Sequence, residues 1–140
     1  MNTATDCIFC KIVAGEIPCF KLLETDAVLS FMDINPYNEG HCLVIPKAHA
    51  VNLYEADDSD LAACIAAAKR VAAAVNEVVA PDGINLVQAN GPGAGQSVFH
   101  FHFHIFPRRD GDGAMLNWGY EEGDMEAIGA LAEKIRAAIG

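Results

Sequence analysis

The run His100-Phe101-His102-Phe103-His104-Ile105-Phe106 alternates imidazole and apolar side chains, and it constrains this chain more than any other stretch. In a β-strand, successive side chains point to opposite faces, with a rise of about 3.3 Å per residue. His100, His102 and His104 therefore share one face at intervals of roughly 6.6 Å. Phe99, Phe101, Phe103 and Ile105 fall on the other face, which needs a core to pack against. The pattern predicts a sheet, with this strand over about residues 98–106. The histidine face is harder to account for, because three imidazoles bury little apolar surface and approach their charge transition near neutral pH. The whole chain has only five histidines, so three on alternate positions is a concentration. A solvated polar stripe and a metal-chelating ladder are both open readings of it.

The remaining chain supplies partners for that strand. Residues 18–24 and 27–33 read as short strands joined at Thr25-Asp26, and Cys42-Leu43-Val44-Ile45-Pro46 reads as a buried strand ended by its proline. A turn over residues 35–40 separates them. Asp57-Asp58-Ser59-Asp60 supplies capping and acidic first-turn residues for a helix reaching about Ala80 and stopped by Pro81. Leu61, Cys64, Ile65, Ala68, Val71, Ala72, Val75 and Val79 recur along it at helical spacing. Ile84 to Gln88 reads as a further strand, and about Asp124 to Ala138 as a second helix. Strands grouped like hairpins around one long helix predict an α+β fold: an antiparallel sheet of about five strands, a central helix and a carboxy-terminal helix, in a single domain over residues 1–140.

Charge and cysteine content narrow the partners. There are 19 acidic residues against 9 basic ones, a formal net charge of −10, which opposes nucleic acid or an anionic membrane as a partner. A small phosphorylated ligand remains compatible, since Lys47, Arg108 and Arg109 lie near histidines in sequence. No apolar run approaches the length of a membrane span, and residues 1–6 lack a secretory leader pattern, so the expected compartment is the cytoplasm. Five cysteines, an odd number, argue against a disulfide framework. Cys7-x-x-Cys10 has metal-knuckle spacing, but a buried thiol pair and a redox couple are equally open. The Gly91-Pro92-Gly93-Ala94-Gly95-Gln96-Ser97 loop offers backbone N–H groups to phosphate oxygens. It opens a strand rather than a helix, so it is neither a Walker loop nor a dinucleotide fingerprint.

Residues 100–106 match the His-φ-His-φ-His-φ-φ signature (φ apolar) of the histidine triad family. The resemblance extends to Gly95-Gln96-Ser97-Val98, to residues 40–49 and to the Cys7–Pro18 opening, which looks bacterial. It covers about residues 7–109 and places all five histidines on family positions. The resemblance implies a nucleotide hydrolase or transferase acting at the α-phosphate of a purine, chiefly adenosine, nucleotide. His102 would be the nucleophile, His104 would contact the phosphate and protonate the leaving group, and His41 would tune the triad from behind. Asp33 would bind the ribose, Ile34 and Phe31 would wall the base, and Asn90, Gly95, Gln96 and Ser97 would meet the phosphates.

The same resemblance implies a structural zinc on Cys7, Cys10, His49 and His100, and a homodimer. Two substrate classes follow from it, nucleoside 5′-phosphoramidates and diadenosine polyphosphates. The amino-terminal opening and Asn90 resemble the first branch, whereas the 91–97 loop followed by Ile105-Phe106-Pro107-Arg108 resembles the second; the balance lies slightly with the phosphoramidates. A nucleotide-binding regulatory or adaptor protein is the reading from another class, and an intact triad argues against it. Residues 115–140 depart from many short family members, with Trp118 as a candidate counterpart of their terminal tryptophan segment. Cys19, Cys42 and Cys64 read as small buried side chains.

Overall fold

The computed structural model describes residues 4–114 and 121–140; Trp118 lies outside them. Five antiparallel strands form one sheet: β1 (Lys21–Glu24), β2 (Val28–Met32), β3 (Cys42–Pro46), β4 (Gly83–Val87) and β5 (Phe103–Arg108), in the order β1-β2-β3-β5-β4. Among the described residues three α-helices accompany it: α1 (Ile8–Val13), α2 (Asp58–Val79) and α3 (Met125–Ile139). The α+β architecture, long central helix and carboxy-terminal helix are as the sequence predicts.

Period-2 alternation along β2 and β3 divides the core between the two faces of the sheet. Val28, Cys42 and Val44 face α2, joined by Phe101 and Ile105, and pack on Cys64, Ala68, Val71 and Val75. Leu29, Phe31, Leu43 and Ile45 face the other way and pack on Phe9 of α1. Fully burying each such aliphatic or aromatic side chain contributes about 1.5–3 kcal/mol, so both faces are strongly specified. The helical stripe of α2 holds except at Ile65, which is 47% exposed. Asp57 occupies the N-cap position of α2 without bonding through its side chain. At the other end Ala80 turns left-handed (φ 49°) ahead of Pro81.

The histidine strand is shorter than its sequence pattern. Antiparallel pairing of β3 with β5 sets Val44 opposite Phe103, and continuing that register would bring Pro46 opposite Phe101. Proline has no N–H for a ladder bond. Its carbonyl is taken by His100 Nε2 at 2.8 Å, and the Phe101 N–H turns to Ala50 O at 2.7 Å. Residues 98–102 therefore leave the sheet before β5 begins. Phe99, expected on the core face, is 48% exposed as a result. The short helix α1 has no counterpart in the sequence reading. Its N-cap is Cys7, whose sulfur accepts the Cys10 N–H.

Candidate active site and metal cluster

A cavity of about 440 Å³ opens on the α1 face of the sheet. His41, His102, His104, Asp33, Ile34, Phe31 and Ser97 all line it. Asn90, Gly95 and Gln96 do not. Asn90 exchanges amide bonds with Gln88 and accepts the Leu53 N–H. Gln96 is 5% exposed; it donates to Val51 O and Val98 O and accepts the Gly91 N–H. Within the glycine loop, the N–H groups of Ala94, Gly95 and Gln96 bond to Gly91 O or Pro92 O. The loop's own geometry consumes those donors, and Ser97 is the part of it that reaches the cavity.

Apart from Asn35, apolar residues and Cys19 make the rest of the wall. Ile8, Phe9 and Ile12 of α1 line it with Leu43 and Val98, and Phe9 sets its ring edge-on to Phe31 and His102 at 5.6 and 5.2 Å. The 8, 9, 12 spacing was the available helical signal in the sequence, overshadowed by the flanking cysteines. Cys42 and Cys64 are buried as expected, but Cys19 is partly exposed on the cavity wall. The three cations noted near histidines in sequence are engaged elsewhere. Lys47 pairs with Glu24, Arg108 with Asp112, and Arg109 donates to Val79 O and Ala80 O. No lysine or arginine among the described residues lines the cavity.

Backbone groups decide where each imidazole keeps its hydrogen. The carbonyl of His100 lies 2.7 Å from His102 Nδ1; a carbonyl only accepts, so Nδ1 carries the hydrogen and Nε2 has a free lone pair. The Tyr37 N–H donates to His41 Nδ1 at 3.1 Å, leaving His41 Nε2 protonated. That nitrogen donates to His104 Nδ1 at 2.9 Å and lies 3.4 Å from Asp33 Oδ2. Neutral His104 must then hold its hydrogen on Nε2. Adjacent rings of His102 and His104, 4.8 Å apart, thus present one acceptor and one donor nitrogen.

Burial disfavours the charged imidazoles. It pushes His104 down to about 4, reinforced by His102 and His41. It also lowers His102 and His41, against the pull of the Asp33 carboxylate. Asp33, His41 and His104 lie close enough to suggest a cation site, yet the Tyr37 bond keeps the hydrogen on the His41 nitrogen that would have to bind the ion. This trio is better described as a hydrogen-bonded chain centred on His41 Nε2.

A second cluster sits behind the cavity, where Cys7, Cys10, His49 and His100 bring one ligand atom each within 4.8 Å of one another. Cys7 Sγ and Cys10 Sγ lie 3.3 and 3.6 Å from His100 Nδ1. Cys10 Sγ lies 3.4 Å from His49 Nδ1, and the two Nδ1 atoms are 3.2 Å apart. A tetrahedron with metal–S near 2.3 Å and metal–N near 2.05 Å has edges of roughly 3.4 Å (N–N) and 3.6 Å (N–S), close to these separations. His100 Nε2 donates to Pro46 O, which directs the Nδ1 lone pair at the sulfurs, as an outer-shell partner does for a metal ligand. These four residues could hold a four-coordinate metal.

Several known proteins are similar to this chain over most of its length. Protein hit of Bacillus subtilis is 42% identical over 140 residues, covering 96% of this chain and 97% of that protein. The adenosine 5'-monophosphoramidase HNT1 of Saccharomyces cerevisiae is 42% identical over 134 residues, covering 95% and 82%. Among solved structures, SMU.412c from Streptococcus mutans superposes with a TM-score of 0.94 at 40% identity, covering 99% of this chain and 88% of that one. A zinc-bound histidine triad family protein from Mycobacterium smegmatis has a TM-score of 0.74 at 36% identity, covering 96% and 95%. The HIT domain matches over residues 14–111, and with the triad, its supporting histidine and its amino-terminal cysteine pair in place, this chain belongs to the HIT domain family.

Proposed function

We propose that the chain hydrolyses adenosine 5′-phosphoramidates at the α-phosphorus through a covalent nucleotidyl-histidine on His102. The observation that carries this reading is the bond from His102 Nδ1 to His100 O, which leaves Nε2 as an unprotonated nucleophile at the cavity. Its attack forms the N–P bond while the P–N bond to the amine breaks. His104, charged once the anionic substrate is bound, gives its Nε2 hydrogen to the departing amine and is left neutral. Water then attacks the same phosphorus and returns a proton to His104, the N–P bond breaks, and the nucleotide leaves. An anionic phosphate beside His104 favours its charged form and raises its low proton affinity, so substrate binding itself prepares the acid. Asp33 and Ile34 are assigned to the ribose and base, with Phe31 and Phe9 as apolar walls. The name of the yeast relative supports the phosphoramidate class over dinucleoside polyphosphates.

The cysteine–histidine cluster is assigned to zinc, supported by the donor set, its near-tetrahedral edges and the zinc-bound relative. Zinc there would be structural, supplying a crosslink between α1 and the segment before β5. The chain is further assigned to a homodimer. Met125, Ile128, Leu131, Ile135 and Ile139 form one stripe on α3, each more than half exposed, and no residue of α3 is buried. An isolated helix of this length is marginal in water. A groove of about 390 Å³ with Leu22, Leu23, Val71, Val75 and Val79 in its wall is an apolar seat of matching character on a second copy.

The test is intact-protein mass spectrometry after a brief acid quench with adenosine 5′-phosphoramidate. An adenylyl adduct on the wild type, mapped to His102 and missing in His102→Ala, is the expected result. Wild-type turnover persisting in His102→Ala would overturn the mechanism. No turnover of phosphoramidate, with cleavage of diadenosine polyphosphates, would move the substrate class.

A further inference from the structure

Asp112 lies outside the cavity lining, yet it is among the most heavily bonded side chains in the protein. Its carboxylate accepts from Arg108 Nε and Nη2 at 2.8 and 2.9 Å. It also accepts from the Arg109 and Ala114 N–H groups, both at 3.0 Å, and from Asn38 Nδ2 at 3.0 Å. The side chain is 5% exposed, and these donors, Arg108 foremost, hold its carboxyl well below the ordinary range. A plain ion pair needs no bond from Asn38. Its Nδ2 also donates to Pro107 O at 2.9 Å, and the Asp112 carbonyl accepts the Tyr37 hydroxyl at 2.9 Å. The loop after β5 is thus buckled to the turn between β2 and β3 at two adjacent residues, 37 and 38.

That turn controls the supporting histidine. Asn38 O accepts the His41 N–H at 3.1 Å, and the Tyr37 N–H occupies His41 Nδ1. Without the Tyr37 bond, either nitrogen of His41 could carry the hydrogen, and in one of the two tautomers His41 has none to offer His104. We infer that Asp112, through Asn38 and Tyr37, is a positioning residue that fixes the His41 tautomer and hence which nitrogen of His104 faces the substrate with a hydrogen. This deepens the proposed hydrolase mechanism and rests on it.

The experiment compares the wild-type chain with Asn38→Ala and Asp112→Asn by long-range proton–nitrogen NMR of the histidine rings, without substrate, and by steady-state turnover of adenosine 5′-phosphoramidate. In the wild type, His41 should show a bare Nδ1. In Asn38→Ala its two nitrogens should move toward averaged shifts, with kcat falling about tenfold, a fraction of what a positioned acid contributes, and KM within about twofold. Asp112→Asn removes the charge that Arg108 needs and should shift the tautomer further. If it does not fold, Asn38→Ala decides, since it leaves the Arg108–Asp112 pair intact. An unmoved His41 tautomer in folded Asn38→Ala overturns the proposal, even if kcat falls, because the defect would then be one of packing. If the wild type does not turn over the phosphoramidate, the substrate reading fails while the ring signals still decide the role of Asp112.

Discussion

His100 and His102 are joined through the backbone: the His100 carbonyl holds the His102 Nδ1 hydrogen at 2.7 Å while the His100 ring points into the cysteine cluster. One residue therefore takes part in both centres, and disturbing its ring should be felt at the nucleophile.

Loss of the metal ligands is the direct check of that coupling. Cys10→Ser should reduce bound zinc, measured by elemental analysis of the purified chain, from about one equivalent toward zero. It should also lower kcat by about 10- to 100-fold, the range seen when the support of a site is removed. His102→Ala should instead abolish turnover and leave the zinc content unchanged. Full activity in a zinc-free Cys10→Ser protein would separate the two centres.

Stability should fall as pH drops from about 6.5 to about 4. Burial holds His104 down to about 4 and lowers His41 as well, whereas both titrate near 6.5 once unfolded. In that window the unfolded chain binds more protons than the folded one, so acid favours unfolding. Urea denaturation across this range should show the slope, and His104→Phe, which removes one buried imidazole while keeping the stack on Phe106, should make it shallower. An unchanged slope in that variant would count against a low proton affinity for His104.

Gly40, which places His41, tolerates no side chain. Its φ is +90°, and an added Cβ would lie 2.9 Å from Val79 Cγ2 and 3.1 Å from Pro107 Cγ. Gly40→Ala combines left-handed backbone strain of about 1–2 kcal/mol with overpacking of about 1–3 kcal/mol. A destabilisation of roughly 2–5 kcal/mol is expected from equilibrium urea unfolding; less than about 0.5 kcal/mol would show that the turn adjusts freely.

The apolar stripe of α3 predicts an assembly. Wild-type chain should run in light scattering near twice its 14.9 kDa. The double change Leu131→Asp with Ile135→Asp should halve that mass and lower helical circular dichroism, because an uncovered helix of this length is marginal. A wild type that is monomeric at micromolar concentration would remove α3 as a docking element.

Local pattern alone determined a good deal of this protein. The period-2 strand, the 3.6-period helix ended by Pro81 and the proline-ended β3 each follow from side-chain spacing and backbone chemistry within a few residues. The histidine signature and its resemblance grouped the site residues, and seven of them share one cavity. Other features required distant groups to meet. Pro46 could not continue the ladder opposite Phe101, so β5 begins at Phe103 rather than near 98. Gln96 and the loop N–H groups bond among themselves, and Lys47, Arg108 and Arg109 are drawn to partners elsewhere. Above all, which nitrogen of each histidine is free depends on carbonyl and amide groups that sequence spacing does not locate. A hydrogen bond is set by a few tenths of an ångström and an angle, and only the tertiary structure fixes those.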